Sequence, residues 1–395
     1  MLALGGCASD DDRVDTAAGA TTLASFTSSA PVGSSPATSA PASVTTAVGV
    51  TPESGWIRLA DPPLSPRTES FSAWTGREIV VVGGWEFTCP PGADCGTNDV
   101  PLADGAALDP VTGMWRSIAP APFGVRGSEA VAVGGDLYLL PICAAGCPRG
   151  AGFLRYRAAD DAWDAFPRPP TDGYYLLEHA GRRILAVSGT DEQGEVPDWQ
   201  FDVARAAWVE LPDDPLPATF DRHIVAIGGA LFLFATPIDD PSDEHALLVG
   251  ARLDDGADKW VSLPPVAVSG YQTWAIDDVI VLNPHFGNSA TGGVFEPGRG
   301  RWRPLPAAPI DESWRGDMAG VLGVADAVYA YADGWVLDVA DERWIEIPPL
   351  EGRYESSPRR EQTTVGRDLF VFGGERPGGE SGSYAINEAW LWHPP

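Results

Sequence analysis

The chain has 395 residues, with 55 Asp and Glu against 26 Lys and Arg and a formal net charge of −29. Nucleic acid and anionic membrane surfaces are bound through cationic patches, so this balance argues against both as partners. No uninterrupted apolar run reaches the ~18 residues that a membrane-spanning helix needs.

The first seven residues read Met-Leu-Ala-Leu-Gly-Gly-Cys. Leu4-Gly5-Gly6-Cys7 resembles the lipobox of bacterial lipoproteins, which implies that Cys7 carries lipid and becomes the mature N-terminus. A signal peptide needs a basic start and roughly 7–15 apolar residues before its cleavage site, more than stand here. Either translation starts upstream of Met1, or Cys7 is an ordinary thiol. The segment that follows favours the first. Residues 8–52 are mostly Ala, Ser, Thr, Pro and Gly. Such a segment cannot bury enough surface to offset its ordering entropy, so it is expected to be a disordered tether.

From residue 53 onward one short pattern recurs: Trp, two residues, an aliphatic or aromatic residue, and usually proline. Its seven Trp are Trp56, Trp115, Trp163, Trp208, Trp260, Trp302 and Trp344. From Trp115 the intervals are 48, 45, 52, 42 and 42 residues. A period of about 40–50 residues built from short strands signals a propeller or a similar array. Each Trp follows a turn rich in acidic residues, Gly and Pro, such as Asp109-Pro110-Val111-Thr112-Gly113-Met114 or Asp202-Val203-Ala204-Arg205-Ala206-Ala207. Upstream of each Trp except Trp56 lies an apolar run: 79–82, 137–140, 184–187, 231–234, 279–282 and 328–331, with a last run at 369–372. Short apolar runs bounded by Gly and Pro read as strands buried on both faces. A further strand precedes each run through a tight turn, for example Gly134-Gly135 or Gly228-Gly229. Each unit is therefore read as four strands, a-b-c-d, with the apolar run as b and the Trp opening d.

There are seven b strands and seven Trp-led d strands, but they are offset by one. Trp56 precedes every b strand, and the run at 369–372 has no such Trp after it. The N-terminal strand 56–59 is thus expected to complete the sheet of about 360–392. The expectation is an all-β, seven-bladed propeller of four-stranded blades over 53–395, closed so that no sheet end is left to fray.

Gly83-Gly84 and Gly373-Gly374 end their b strands as the diglycine of kelch repeats does, and Leu108-Asp109-Pro110-Val111-Thr112-Gly113-Met114-Trp115 resembles the kelch segment leading into its Trp. The chain in this respect is similar to the kelch β-propeller family, although the other five units lack the diglycine. That family includes copper radical oxidases resembling galactose oxidase, which use two His, two Tyr and a Cys joined to one Tyr. Here every Cys after the leader stands in a close pair, which argues against an oxidase. Its sialic-acid mutarotases have six blades, which the count of seven disfavours.

The close pairs are Cys89 with Cys95 and Cys143 with Cys147, each in a b–c loop. Even, close pairing in an exported chain reads as disulfides, expected as Cys89–Cys95 and Cys143–Cys147. Pairing between adjacent blades and a four-thiolate zinc site remain as alternatives. No metal site and no cofactor is expected.

Strand alternation puts the b–c and d–a loops on one face, where loops on a rigid scaffold carry function. Candidates for binding there are Trp85, Glu86, Asp99, Asp191, Glu192, Asp198, Trp199, Asp239, Asp240, His245 and His285, with Trp85 and Trp199 as a platform for stacking on a sugar. The a strands line the central channel and bring in Glu178, His179, Arg222, His223, Arg315 and Arg360. No nucleophile elbow, phosphate loop or zinc-protease motif is present. The expected protein is a monomeric, extracytoplasmic binding module, held to the membrane only through lipid at Cys7, that recognises an envelope protein or a cell-wall glycan without catalysis. The alternative is a carbohydrate-active enzyme, oxidase- or mutarotase-like, working in the channel.

Overall fold

The computed structural model describes residues 55–86, 88–89, 100–141, 150–192, 194–238, 248–264, 273–276, 278–282, 292–306, 329–332, 335–339, 341–348, 360–378 and 382–395. The fold is all-β, and no helix occurs among these residues. It is propeller-like, built from antiparallel four-stranded sheets that follow one another along the chain. The first sheet is Phe71–Trp74, Ile79–Val82, Gly105–Asp109 and Met114–Ile118. The second runs from Ser128–Val133 to Ala162–Phe166. The third is Tyr175–Ala180, Arg183–Ser188, Trp199–Asp202 and Ala207–Glu210. The fourth is Thr219–Ile227, Ala230–Pro237, Val249–Leu253 and Val261–Ser262, and the fifth runs from Thr273–Ile276 to Arg301–Pro304. A three-stranded sheet, Tyr329–Ala332, Trp335–Asp338 and Arg343–Glu346, comes next. In the last sheet Glu361–Val365, Asp368–Phe372 and Ala389–His393 are joined by the N-terminal strand Gly55–Arg58, with Trp56 opposite Trp392.

Six of the seven apolar runs read from the sequence are second strands of four-stranded sheets, buried for a simple reason; the run 328–331 falls at Tyr329–Ala332, the first described strand of the three-stranded sheet. Side chains alternate across a strand. In the first sheet Val80 and Val82 pack with Leu137 and Leu139 of the second sheet, while Ile79 and Val81 pack with Phe370 and Phe372 of the last. Both faces are covered, so both must be apolar. Fully burying such a side chain is worth about 2 kcal/mol.

The turns follow their residues. Gly134-Gly135 and Gly228-Gly229 each have two positive φ values, 65° and 92° and then 59° and 87°, the backbone of a two-residue hairpin whose twist matches its strands. In the turns before the repeat Trp, Oδ1 of Asp109 accepts the amides of Val111 and Thr112, and Oδ1 of Asp202 accepts those of Ala204 and Arg205. In three of these turns the position two before the Trp is left-handed although it is not glycine: Asp161 at 48°, Ala206 at 52° and Glu342 at 52°.

The structure also explains the repeated Trp and the residue four places after it. The indole N–H of Trp115 donates to the carbonyl of Ala60, Trp163 to Ala119, Trp208 to Pro167, Trp260 to Pro212, Trp344 to Pro306 and Trp56 to Pro348, at 2.6–3.1 Å. Each acceptor stands four residues after the preceding repeat Trp. A proline there has no N–H to satisfy but keeps its carbonyl as an acceptor. Trp302 is the exception: its indole nitrogen is buried without a hydrogen-bond partner among the described residues.

The two diglycines mark close approaches. Gly84 N–H donates to the Val125 carbonyl at 2.8 Å, and a Cβ on Gly83 would collide with that same oxygen. Gly374 N–H donates to the Arg67 carbonyl at 3.3 Å, and a Cβ on Gly373 would sit 2.7 Å from it. Glycine is needed there for both φ and space. A small extra sheet adds to this seam: Gly382–Ala385 pairs with Glu375–Gly378 on one side and with Thr88–Cys89 on the other.

Candidate functional site

Among the described residues, a well-formed site lies between the third and fourth sheets, where the loop after Ser188 meets the connection 211–218. Its centre is Arg222. The strand Thr219–Ile227 slips register between Phe220 and His223, and Asp221 within that slip has φ 51°. A bulge of this kind re-aims one side chain. It turns Arg222 under the loop, where the residue is 4 % exposed.

There the guanidinium meets three carboxylates. Nη2 donates to Asp198 at 3.0 Å and to Asp214 at 2.8 Å, and Nη1 lies 3.3 Å from Asp191. Nε donates to the Ser188 carbonyl at 3.1 Å and Nη1 also to Thr219 Oγ1 at 3.0 Å. The carboxylates are anchored in turn. Asp198 Oδ1 accepts the Ser188 amide at 2.7 Å, and Asp191 Oδ2 accepts the amide and hydroxyl of Thr219 at 3.0 and 2.9 Å. Asp214 Oδ1 accepts the Leu216 amide at 2.8 Å. Arg222 thus ties two loops to one inner strand.

A cavity of about 260 Å³ opens beside this cluster. Its polar wall is Asp191, Glu195, Asp198, Asp213, Asp214 and Arg222, and its apolar wall is Val196, Leu211, Leu216 and three prolines. Five carboxylates face one guanidinium. Burial pushes the Asp198 carboxyl up to about 6, against the downward pull of Arg222. For Arg222, desolvation works downward, but pairing with Asp198, Asp214 and Asp191 outweighs it and the net shift is upward.

The chain matches no protein-family model and no curated protein.

Residues from both sequence-read groups meet at this pocket: Asp191 and Asp198 from the loop face, Arg222 from the channel group. Glu192 is exposed at the loop tip, its Oε2 within 3.2 Å of Thr190 Oγ1. Two expected contributors have another role. Trp85 is 1 % exposed, with the Arg126 guanidinium 4.9 Å over its ring, and Trp199 is 7 % exposed, its N–H shared by Thr171 Oγ1 and the Tyr175 hydroxyl at 3.1 Å each. Neither offers a ring face for a sugar to stack on. Glu86 is exposed.

Glu178 bridges the first strands of the third and fourth sheets. Its Oε1 lies 3.2 Å from His223 Nδ1, and its Oε2 accepts the Ile224 amide at 2.7 Å. His179, the next residue, is open to solvent, yet desolvation by the surrounding strands pulls its imidazole below the ordinary histidine value, against the opposing effect of Glu178. Arg360 sits half-buried just before Glu361–Val365, away from this group. Cys7, Cys95, Asp99, Cys143, Cys147, Asp239, Asp240, His245, His285 and Arg315 lie outside the described residues, and Cys89 is described only as part of its short strand.

Asp214 was not singled out by the sequence. It stands in Asp213-Asp214-Pro215, which has the composition of an ordinary connecting turn.

Proposed function

We propose that this chain is the non-catalytic binding head of an exported, lipid-anchored envelope protein, and that its sheets close into a seven-bladed propeller of the kelch type. Support for the ring comes from apolar clusters that join each sheet to its successor and the last sheet to the first. The indole-to-carbonyl bonds run in the same direction, including Trp56 to Pro348. On this reading Cys7 carries the lipid, residues 8–52 are the tether, and Cys89–Cys95 and Cys143–Cys147 pin loops of the binding face.

The observation that carries the binding role is the cavity beside Arg222. It lies where two loops converge, as ligand sites on rigid scaffolds do. Its charged groups are tethered by ion pairs and backbone bonds, which suits holding a ligand better than turning one over. With five carboxylates to one guanidinium, it favours an envelope protein segment or cell-wall glycan that brings an amine or guanidinium. The acidic surface disfavours nucleic acid.

The test is cross-linked capture from envelope extract by the full chain, compared with a variant whose loop 190–197 is replaced by a short Gly-Ser linker. Capture of a defined partner should disappear in the variant while its circular dichroism spectrum is kept. Capture unchanged by the loop replacement would sink this site.

A second reading, a carbohydrate-active enzyme in the channel, is favoured by the Glu178–His223 contact, a carboxylate and an imidazole within reach of one another. It requires turnover on a sugar panel that Glu178→Gln abolishes.

A further inference from the structure

We propose that the Arg222 pocket is proton-linked: in mildly acidic solution its carboxylate cluster takes up one proton, and that uptake draws the loop 189–198 tighter against the fourth sheet. This rests on the reading of the pocket as the ligand site and adds its regulation.

The geometry carries the argument. Asp198 and Asp214 bind the same guanidinium nitrogen, Nη2, at 3.0 and 2.8 Å, and Asp191 binds its neighbour. Three carboxylates share one positive charge, in a place where Arg222 and Asp198 are both more than nine-tenths buried. The cluster therefore carries an uncompensated excess of two negative charges when fully ionised. Carboxylates crowded into one desolvated site cannot all ionise at ordinary cost, and the proton must come from solvent because arginine does not release its own.

Among the described residues that line the cavity, none relieves the excess. The loop itself adds Glu195, the connection 211–218 adds Asp213, and the strand Thr219–Ile227 contributes Arg222 alone to the cavity. The third sheet adds the neutral Tyr175 hydroxyl, which donates to the Pro197 carbonyl at 3.1 Å. The direction agrees with the upward shift of Asp198, whose first cause is burial.

The sign follows from linkage. A carboxyl whose folded value lies above its unfolded value binds its proton more tightly when folded, so protonation stabilises the fold, and this contribution is lost as pH rises through about 6. Asp198 joins the loop to Ser188 and to Arg222, so the loop is where the tightening is felt.

The experiment is a carboxyl-carbon NMR titration of the full chain labelled at aspartate, with amide-exchange protection at Ser188 and Asp191 and thermal midpoints followed between about pH 7.5 and about pH 5. Asp198 is expected to titrate near 6, and protection and midpoint to rise as the pH falls through that value. Asp198→Asn and, separately, Asp214→Asn should flatten both trends. Titration of Asp198 at an ordinary carboxyl value, or trends unchanged in both variants, would overturn the proposal. Ligand capture is not read here, so a normal titration removes the proton linkage alone, whereas loop-independent capture removes the ligand site.

Discussion

Arg67 and Arg222 each pin the entry of a first strand to the loop that follows a second strand, and each lies within two residues of a left-handed non-glycine residue, Glu69 and Asp221, both with φ 51°. Their surroundings then diverge. Arg67 is fully buried and grips one carboxylate, Asp104, with two bonds of 2.8 and 2.9 Å, and its other donors reach the Ser65 and Gly83 carbonyls and the Ser65 hydroxyl. Asp104 itself is half open to water, at 52 %. Charge is balanced one to one. Arg222 uses the same fork for three carboxylates, two of them buried and Asp214 part-buried, and borders a cavity. The first is a structural clasp. The second is an over-charged clasp with room beside it, which is where a protein stores capacity for binding and titration.

The largest expected effect tests that difference directly. Arg222→Met leaves Asp191 and Asp198 buried, and Asp214 part-buried, without their counter-charge and should cost about 3–5 kcal/mol. Arg67→Met strands backbone acceptors but leaves Asp104 partly hydrated, so it should cost about 1–3 kcal/mol. Urea unfolding of both variants measures the gap, and equal losses would break the comparison.

The same contrast between satisfied and unsatisfied buried groups recurs among the repeat tryptophans. Trp163→Phe removes a packed indole and the 2.8 Å bond to the Ala119 carbonyl. Trp302→Phe removes a similar volume but a donor with no partner among the described residues. Trp163→Phe should therefore be the more destabilising by about 1 kcal/mol in parallel urea melts. Identical values would show that packing alone sets the pattern.

The smallest effect concerns left-handed backbone of the kind seen at Glu69 and Asp221. Ala206, two before Trp208, has φ 52°, while Gly113 holds the equivalent place before Trp115 at 68° with open space around it. Ala206→Gly should raise the thermal midpoint, and Gly113→Ala should lower it, by the equivalent of about 1 kcal/mol each. Shifts of the opposite sign would mean that chain entropy outweighs the strain.

Much of the sheet framework was legible because its signals are local. The run Ile79-Val80-Val81-Val82 must be a strand covered on both faces, since four consecutive β-preferring apolar residues have no exposed side to offer. Trp56 without a preceding partner strand pointed to the last sheet, and Trp56 is paired with Trp392 there. Short boundaries were less legible: Trp260 lies just outside its strand, Val261–Ser262. The site was legible only in part. Asp191 and Asp198 were read as face residues, but Arg222 was read as a channel residue because it lies in a first strand, and the bulge that re-aims it leaves no mark in the sequence. Trp85 and Trp199 were read as exposed because their neighbours in sequence are loops, while their burial comes from Arg126, Thr171 and Tyr175 elsewhere in the chain.

The sequence by itself determined the all-β class, the repeat unit, its turns and the N-terminal strand's place in the last sheet. These depend on side-chain periodicity and backbone preferences over a few residues, which any short segment carries within itself. Only the tertiary structure decided which carboxylates meet Arg222, that Asp104 serves Arg67, and that the carbonyl four places after one repeat Trp accepts the indole of the next. Those contacts join residues from 8 to 292 positions apart, and their energy depends on burial and charge balance that arise only once the sheets are packed together.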